Sequence, residues 1–327
     1  MKTNWNSGME YGFSMIRMIM WIVGVWPLHQ DDIVCTFRWI IIFIEQSLTM
    51  ICLLIELFIN CGDIKDALEF FLVMEANLHS WINIVFARIY MKKIAVNVTS
   101  AIDDWSSSSI EKQSYLIMMG YARIGRMITV SQLMIGFIAA VAFIIYTAEC
   151  SSDCFFFAIT MHLCGQLKLL RIRFIELIGK STNERNHYRS ILGSWIRRHY
   201  KLIILARNIE DTFNLNVLFR LSITTIFIAV SAKSTIFVQF YIVQSFLFTH
   251  AGETLRKQSE SIVLAIYNTT WHKLPPSVVK DFIFIMMRAK IPLQLTAGKF
   301  FYVTRSTITD ILKTALSYIS FLQMAVE

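Results

Sequence analysis

Glycine and proline are scarce, 12 and 4 among 327 residues. That scarcity excludes a fold built from many short strands and tight turns. Charge is scarce as well: 17% of residues are charged and 55% are hydrophobic, too little charge to coat a soluble domain of this length. Catalytic motifs are missing, with no His-Glu-x-x-His and no Gly-x-Ser-x-Gly. Gly179-Lys180-Ser181-Thr182 has the tail of a phosphate-binding loop, but such a loop needs glycine where Phe174 stands. The seven histidines are scattered, and the six cysteines show no Cys-x-x-Cys or metal-ligand spacing. We therefore expect no enzyme, no metal and no cofactor. Long apolar helices remain, so the expected class is an all-α, polytopic membrane protein.

The net charge of +8 reads as topology once its distribution is seen. Lys and Arg vacate 39–64, 66–87, 127–167 and 234–255, each apolar enough for one span or a pair. They bunch at Arg88–Arg126, at Lys168–Arg207 and at Arg256–Lys299. The positive-inside rule puts the N-terminus and these three basic loops in the cytoplasm. The partner this implies is a lipid bilayer, with no nucleic acid. "MIRMIMWIVGVWPL" (15–28) is too short to span and reads as an interfacial or re-entrant segment. Trp5, Trp21 and Trp26 then sit at the headgroups.

The expected spans are S1 at 39–59, S2 at 67–89 and S3 at 127–147, with a polar loop at 90–123. Phe155–Leu167 offers only 13 residues before Lys168, roughly 20 Å of helix against a ~30 Å hydrocarbon core. The fourth span therefore reads as truncated. The basic segment 168–213 reads as a cytoplasmic helix-turn-helix, S5 and S6 fit compactly between 214 and 251, and S7 covers 304–326. The chain reads as one domain: 1–38 cytoplasmic or re-entrant, 39–251 spans S1–S6, 252–303 cytoplasmic, and 304–327 the last span. Cys150 and Cys154 lie in a short outer connection, either as a disulfide or as two free thiols. The sequons at Asn97 and Asn268 fall on the cytoplasmic side and are expected to carry no sugar.

Polar residues inside spans are costly, so their pattern is informative. Glu45, Glu56 and Glu75 either line a water-filled cavity or face protein partners and headgroups. His79 and His162 read as hydrogen-bonded packing residues. In the last helix Thr307, Asp310, Thr314, Ser317 and Phe321 recur at steps of 3, 4, 3 and 4, one helical stripe. Ile308, Ile311, Ala315, Ile319 and Leu322 form the opposite, apolar side. A polar stripe ending in a bulky apolar residue suits a pore with a hydrophobic constriction, to which several subunits contribute one helix each. The alternative is that the hydroxyls bond to their own helix carbonyls or join helices.

Four stretches resemble the insect odorant receptor family: "FSMIRMIMWIVGVWPL", "CFFFAITMHLCGQLKLL" with His162, Cys164, Gly165 and Gln166, "QSFLFTHAGETLRKQSESIVLAIYNTTWHKLP", and "IPLQLTAGKFFYVTRSTITDILKTALSYISFLQ". The last two are the specific ones. The resemblance implies seven spans with an intracellular N-terminus in a sensory-neuron membrane. It implies a nonselective cation channel gated by small volatile odorants and assembled as a heterotetramer with a co-receptor subunit. The terminal helix of each subunit would line the pore, with Phe321 at the gate and Ala325 one turn further out. The odorant region, among spans two, three, four and six in the outer half of the membrane, would recruit Phe71, Met74, Phe143, Tyr146, Phe156 and Tyr241. Against the family pattern, "IIYTAECSSDCFFF" lacks the long outer loop and much of the fourth span. A nonfunctional truncated product and a G-protein-coupled seven-span receptor are the rival readings.

Overall fold

The computed structural model describes residues 7–29, 32–59, 64–106, 112–138, 143–179, 185–230, 235–269, 271–273 and 276–326. Its helices are α1 (Ser7–Val23), α2 (Ile33–Ile59), α3 (Ile64–Ile89), α4 (Met91–Ser106), α5 (Lys112–Ile138), α6 (Phe143–Gly179), α7 (Arg185–Val230), α8 (Thr235–Tyr267), α9 (Pro276–Ala289) and α10 (Arg305–Val326). A two-stranded hairpin, β1 (Thr296–Ala297) and β2 (Phe301–Tyr302), lies between α9 and α10. The fold is an all-α, polytopic membrane fold.

Gly24 and Pro276 sit at helix ends. Gly24 has φ 77 and follows the last residue of α1. Val25 N donates to Met20 O at 2.9 Å and Gly24 N to Trp21 O at 3.2 Å, the paired bonds that close a helix through a left-handed residue. Pro276 opens α9 at its first position, where no amide hydrogen is needed.

α6 is the axis of the bundle and packs against α1, α3, α5, α7 and α8. Along it Phe155, Ile159, Leu163, Cys164 and Leu167 are essentially inaccessible. In the most apolar 18 residues of Ser152–Glu176, 83% of positions are buried within the protein, whereas in those of Ile33–Phe58 of α2 only 6% are. Both stretches are apolar and long enough to cross a membrane. The difference makes α6 an interior helix and α2 an outer one. Ile41, Ile44, Leu48, Ile51 and Ile55 on its open face suit hydrocarbon, which is as apolar as they are.

Four expectations need correction. The fourth span is not truncated: α6 runs for 37 residues, about 55 Å of helix. The third span ends at Ile138 rather than at 147, which releases residues from Phe143 onward to the fourth. Lys168 does not end it either, because its ammonium lies 6.0 Å from the Tyr121 ring centre. Of the polar loop expected at 90–123, residues 91–106 and 112–123 are instead helix, α4 and the front of α5, and 107–111 lie outside the described residues. α4 hides an apolar stripe, with Met91, Ile94, Val98, Ala101 and Trp105 buried, at helical spacing. Asn97, expected in a loop, is on this helix and fully buried. Finally, α1 is a core element packed on α5 and α6. Trp26 is 2% exposed and is no headgroup anchor, while Trp21 is 43% exposed with the Arg38 guanidinium 3.4 Å above its ring. Trp5 lies outside the described residues.

Candidate pore helix and ligand region

α10 packs on α7 and α8 through one side. Ile311 and Ala315 are buried there, with Leu312 half-buried against the core. Asp310, Thr314, Ser317 and Phe321 all lie on the exposed side. Phe321 is 64% exposed. The side chain of Ala325 lies outside the described residues. Thr314 Oγ1 donates to Asp310 O at 2.8 Å, Ser317 Oγ to Lys313 O at 3.1 Å and Ser320 Oγ to Leu316 O at 3.0 Å. The self-bonded alternative and an exposed stripe therefore coexist. A hydroxyl that gives its hydrogen to its own helix keeps its oxygen lone pairs for a group outside.

Thr307 does not belong to the exposed stripe. It is 7% exposed, and its Oγ1 accepts from Thr304 N at 3.1 Å and donates to Tyr302 O at 3.0 Å. This is one half of a capping box: the residue three positions into the helix reaches back to the capping amide. The 3–4 spacing matched a pore stripe equally well, and the cap was visible only once the helix start was fixed.

The hairpin before α10 is fastened to α7. Gly298 and Lys299, with φ 58 and 64, form its tight turn, the left-handed pair that suits a two-stranded ribbon. Gly298 N donates to Asn214 O at 2.7 Å, and Thr296 Oγ1 donates to Glu210 Oε1 at 2.7 Å. Lys299 Nζ lies 3.7 Å from Asp211. On the other flank Gly252 of α8 abuts the Val303 carbonyl, where an added Cβ would clash with backbone.

Of the ligand-region residues, Phe156 is buried, with ring centres of Phe248 and Phe213 at 5.0 and 5.2 Å. Tyr241 is buried against Phe227 at 4.8 Å. It lies seven residues before Phe248 on α8, roughly 10 Å along one helix face. Met74 is half-buried. The side chains of Phe71, Phe143, Tyr146 and Cys150 lie outside the described residues. Cys154 is a buried free thiol that donates to Gln132 Oε1 at 2.7 Å, so it is not bridged to Cys150. The two cysteines are four apart on one helix, and Cys154 points inward. Gln132 also donates to Gln244 Oε1 at 3.0 Å, joining α5, α6 and α8.

A second polar cluster explains the His162–Gln166 motif. His162 Nε2 lies 3.1 Å from Asp104 Oδ2, and Arg198 Nη2 is 2.6 Å from both Asp104 Oδ1 and Gln166 Oε1. Burial pushes the Asp104 carboxyl upward. The hydrogen bond and charge of His162, with the Arg198 guanidinium, outweigh burial and hold its pKa below the ordinary carboxylate value. Gly165 lets α5 come close, since an added Cβ would stand 3.0 Å from Met118 Sδ. Asp104 and Arg198 were not legible as partners, because they reach this motif from distant helices. His79 departs from expectation: among the described residues neither ring nitrogen has a hydrogen-bond partner.

The chain spans about half the length of the curated relatives it matches. It is 26% identical to odorant receptor 47a of Drosophila melanogaster over 189 residues, 53% of this chain and 49% of that one. It is 32% identical to odorant receptor 10 of Aedes albopictus over 74 residues, 23% and 20% of the two chains. Its fold is similar to that of the insect olfactory receptor OR5 from Machilis hrabei in complex with eugenol. That match has a TM-score of 0.73 and 14% identity, and covers 97% of this chain and 100% of that one. The family model described as "7tm Odorant receptor" matches residues 73–316, three-quarters of the sequence, and the chain belongs to that family.

Proposed function

We propose that the chain is an odorant receptor subunit: one protomer of a ligand-gated, nonselective cation channel completed by a co-receptor subunit in the cell membrane of a sensory neuron. The N-terminus and the segment carrying α9 and the hairpin lie in the cytoplasm, so that α10 runs outward. The observation that carries the reading is the division of α10. One side is sealed against α7 and α8, and the other exposes Asp310, Thr314, Ser317 and Phe321. A single helix cannot enclose an ion path, so four protomers turn this side toward a common axis. Outward lone pairs and the Asp310 carboxylate favour cations, and Phe321 supplies an apolar constriction. Family membership supports this reading over a G-protein-coupled receptor.

The ligand acts on Phe156, Phe213 and Phe248, where rings from α6, α7 and α8 meet. A cavity beside them measures about 20 Å³, while ligand pockets hold hundreds. Binding therefore displaces rings, and their movement reaches α10 through α7 and the hairpin fastened to it. A ligand biases the open state only by its differential affinity for it. Phe321→Ala tests the gate in cells that also express a co-receptor. We expect a raised resting current with no ligand present. An unchanged resting conductance at normal surface expression removes Phe321 from the gate.

A further inference from the structure

A cleft of about 440 Å³ opens where the hairpin leads into α10. Glu253 and Arg256 of α8 form one wall, and Arg305 and Ser306 of the first turn of α10 form the other, with Gln294, Tyr302 and Thr304 between them. The volume is that of a ligand pocket, yet every lining side chain carries a polar group, so the cleft is no second home for an apolar molecule. Its carboxylates are already met. Arg256 Nη2 lies 2.9 Å from Glu253 Oε1 and Arg256 Nη1 lies 2.6 Å from Glu260 Oε1, while Lys257 Nζ is 3.5 Å from Glu253. Its donors are not. Arg256 Nε is a buried donor with no hydrogen-bond partner among the described residues. Arg305 is exposed, and among the described residues no ion pair balances it. Thr304 Oγ1 and Ser306 Oγ stand 2.8 Å apart, which gathers two hydroxyls at one point beside first-turn amides that lack partners within the helix.

We propose that this cleft binds a phosphate group, carried by an inner-leaflet lipid or by a soluble phosphate ester. The site goes beyond the odorant reading and does not depend on it. Three features select the chemistry. The uncompensated charge is positive, so the ligand is an anion; a metal ion finds only Glu253 on the lining, and that carboxylate is held by Arg256 and Lys257. The donors are guanidinium, hydroxyl and amide groups on different elements. A phosphate accepts from several directions at once, whereas a carboxylate offers two oxygens in one plane. The phosphate also closes the gap between α8 and the start of α10, and its charge complements the positive end of that helix. Ile291, Phe300 and Phe301, close in the chain to Gln294 and Tyr302, are exposed. Such apolar surface beside a polar cleft suits a membrane boundary.

The test uses the full chain assembled with a co-receptor subunit in phosphatidylcholine nanodiscs, with every substitution in this chain alone and the co-receptor assembled by itself as the blank. Melting temperature is followed in discs containing phosphatidylinositol bisphosphate, in discs containing phosphatidylserine at matched charge, and in plain discs with added inositol trisphosphate. A melt raised above the blank by the phosphoinositide supports a lipid source, and one raised by the soluble ester supports a soluble source. Arg305→Ala increases the amount needed for half the shift about tenfold, the worth of one hydrogen bond to a charged group. Ser306→Glu abolishes the shift by setting a carboxylate in the cleft. It leaves the unliganded melt unchanged or higher, because an acid in the first turn favours the helix. The proposal is overturned if neither phosphate probe shifts the melt, if phosphatidylserine matches the phosphoinositide, or if the response survives both variants. It is overturned equally if Lys280→Ala, which removes an exposed cation of α9 outside the cleft, weakens the response as much as Arg305→Ala does. No odorant and no current enter this measurement, so its failure leaves the receptor reading standing, and failure of the resting-current test at Phe321 leaves the cleft standing.

Discussion

Asp310 differs from the hydroxyls of its stripe in carrying a full charge on the exposed side of α10. On our account Asp310→Lys lowers cation conductance by reversing the local field. Single-channel recording checks this, and unaltered currents at normal surface density count against a pore position. At Asp104 the effect is on stability. Its folded pKa is depressed, so its stabilisation is present above the unfolded carboxylate range near pH 4 and is lost as pH falls through the folded value. Asp104→Asn is expected to cost about 2 kcal/mol at neutral pH, since it strips a charged partner from Arg198 and His162. Melting of the assembled complex at pH 7 should fall, and the variant should lose the wild type's dependence on acid below pH 4. The exposed stripe was legible because it repeats within one helix. The Asp104 cluster was not, because His162 and Asp104 are 58 residues apart and no local pattern pairs them.

The connection into α10 is the element on which gating depends. Thr304 and Thr307 cap the helix, the hairpin fastens to Glu210 and Asn214 of α7, and Gly252 of α8 abuts Val303. Thr307→Val removes the cap, worth about 1 kcal/mol. Dose-response curves should then shift in midpoint with little change in ligand binding; an unshifted midpoint would separate the cap from gating. Gly252→Val should block assembly or surface delivery, because the clash is with a backbone carbonyl that cannot swing aside; normal surface signal would contradict the close approach. Apart from α4 and α9, helix existence was legible, from apolar runs and from the scarcity of breakers. Boundaries were not. The fourth span seemed short because Lys168 was taken as an end, whereas a lysine with an aromatic partner can continue inside a helix. The front of α5 and all of α4 seemed loop because their polar majority outweighed a buried minority stripe.

At the scale of the whole molecule, α6 is wrapped by its neighbours and α2 lies outside. α10 is sealed on one side only. A bundle with one incompletely covered polar helix at its edge is incomplete as a conductor, and fourfold assembly about that edge is what the channel account adds. The most direct measurement is aqueous thiol labelling of Ser317→Cys and Ala315→Cys, each in a Cys52→Ser background and co-expressed with a co-receptor subunit. The account predicts that position 317 reacts and the reagent blocks current, while position 315, buried against the neighbouring helices, stays silent. Reaction at 315 with silence at 317 would mean that α10 faces the other way, and the channel reading would fail with it.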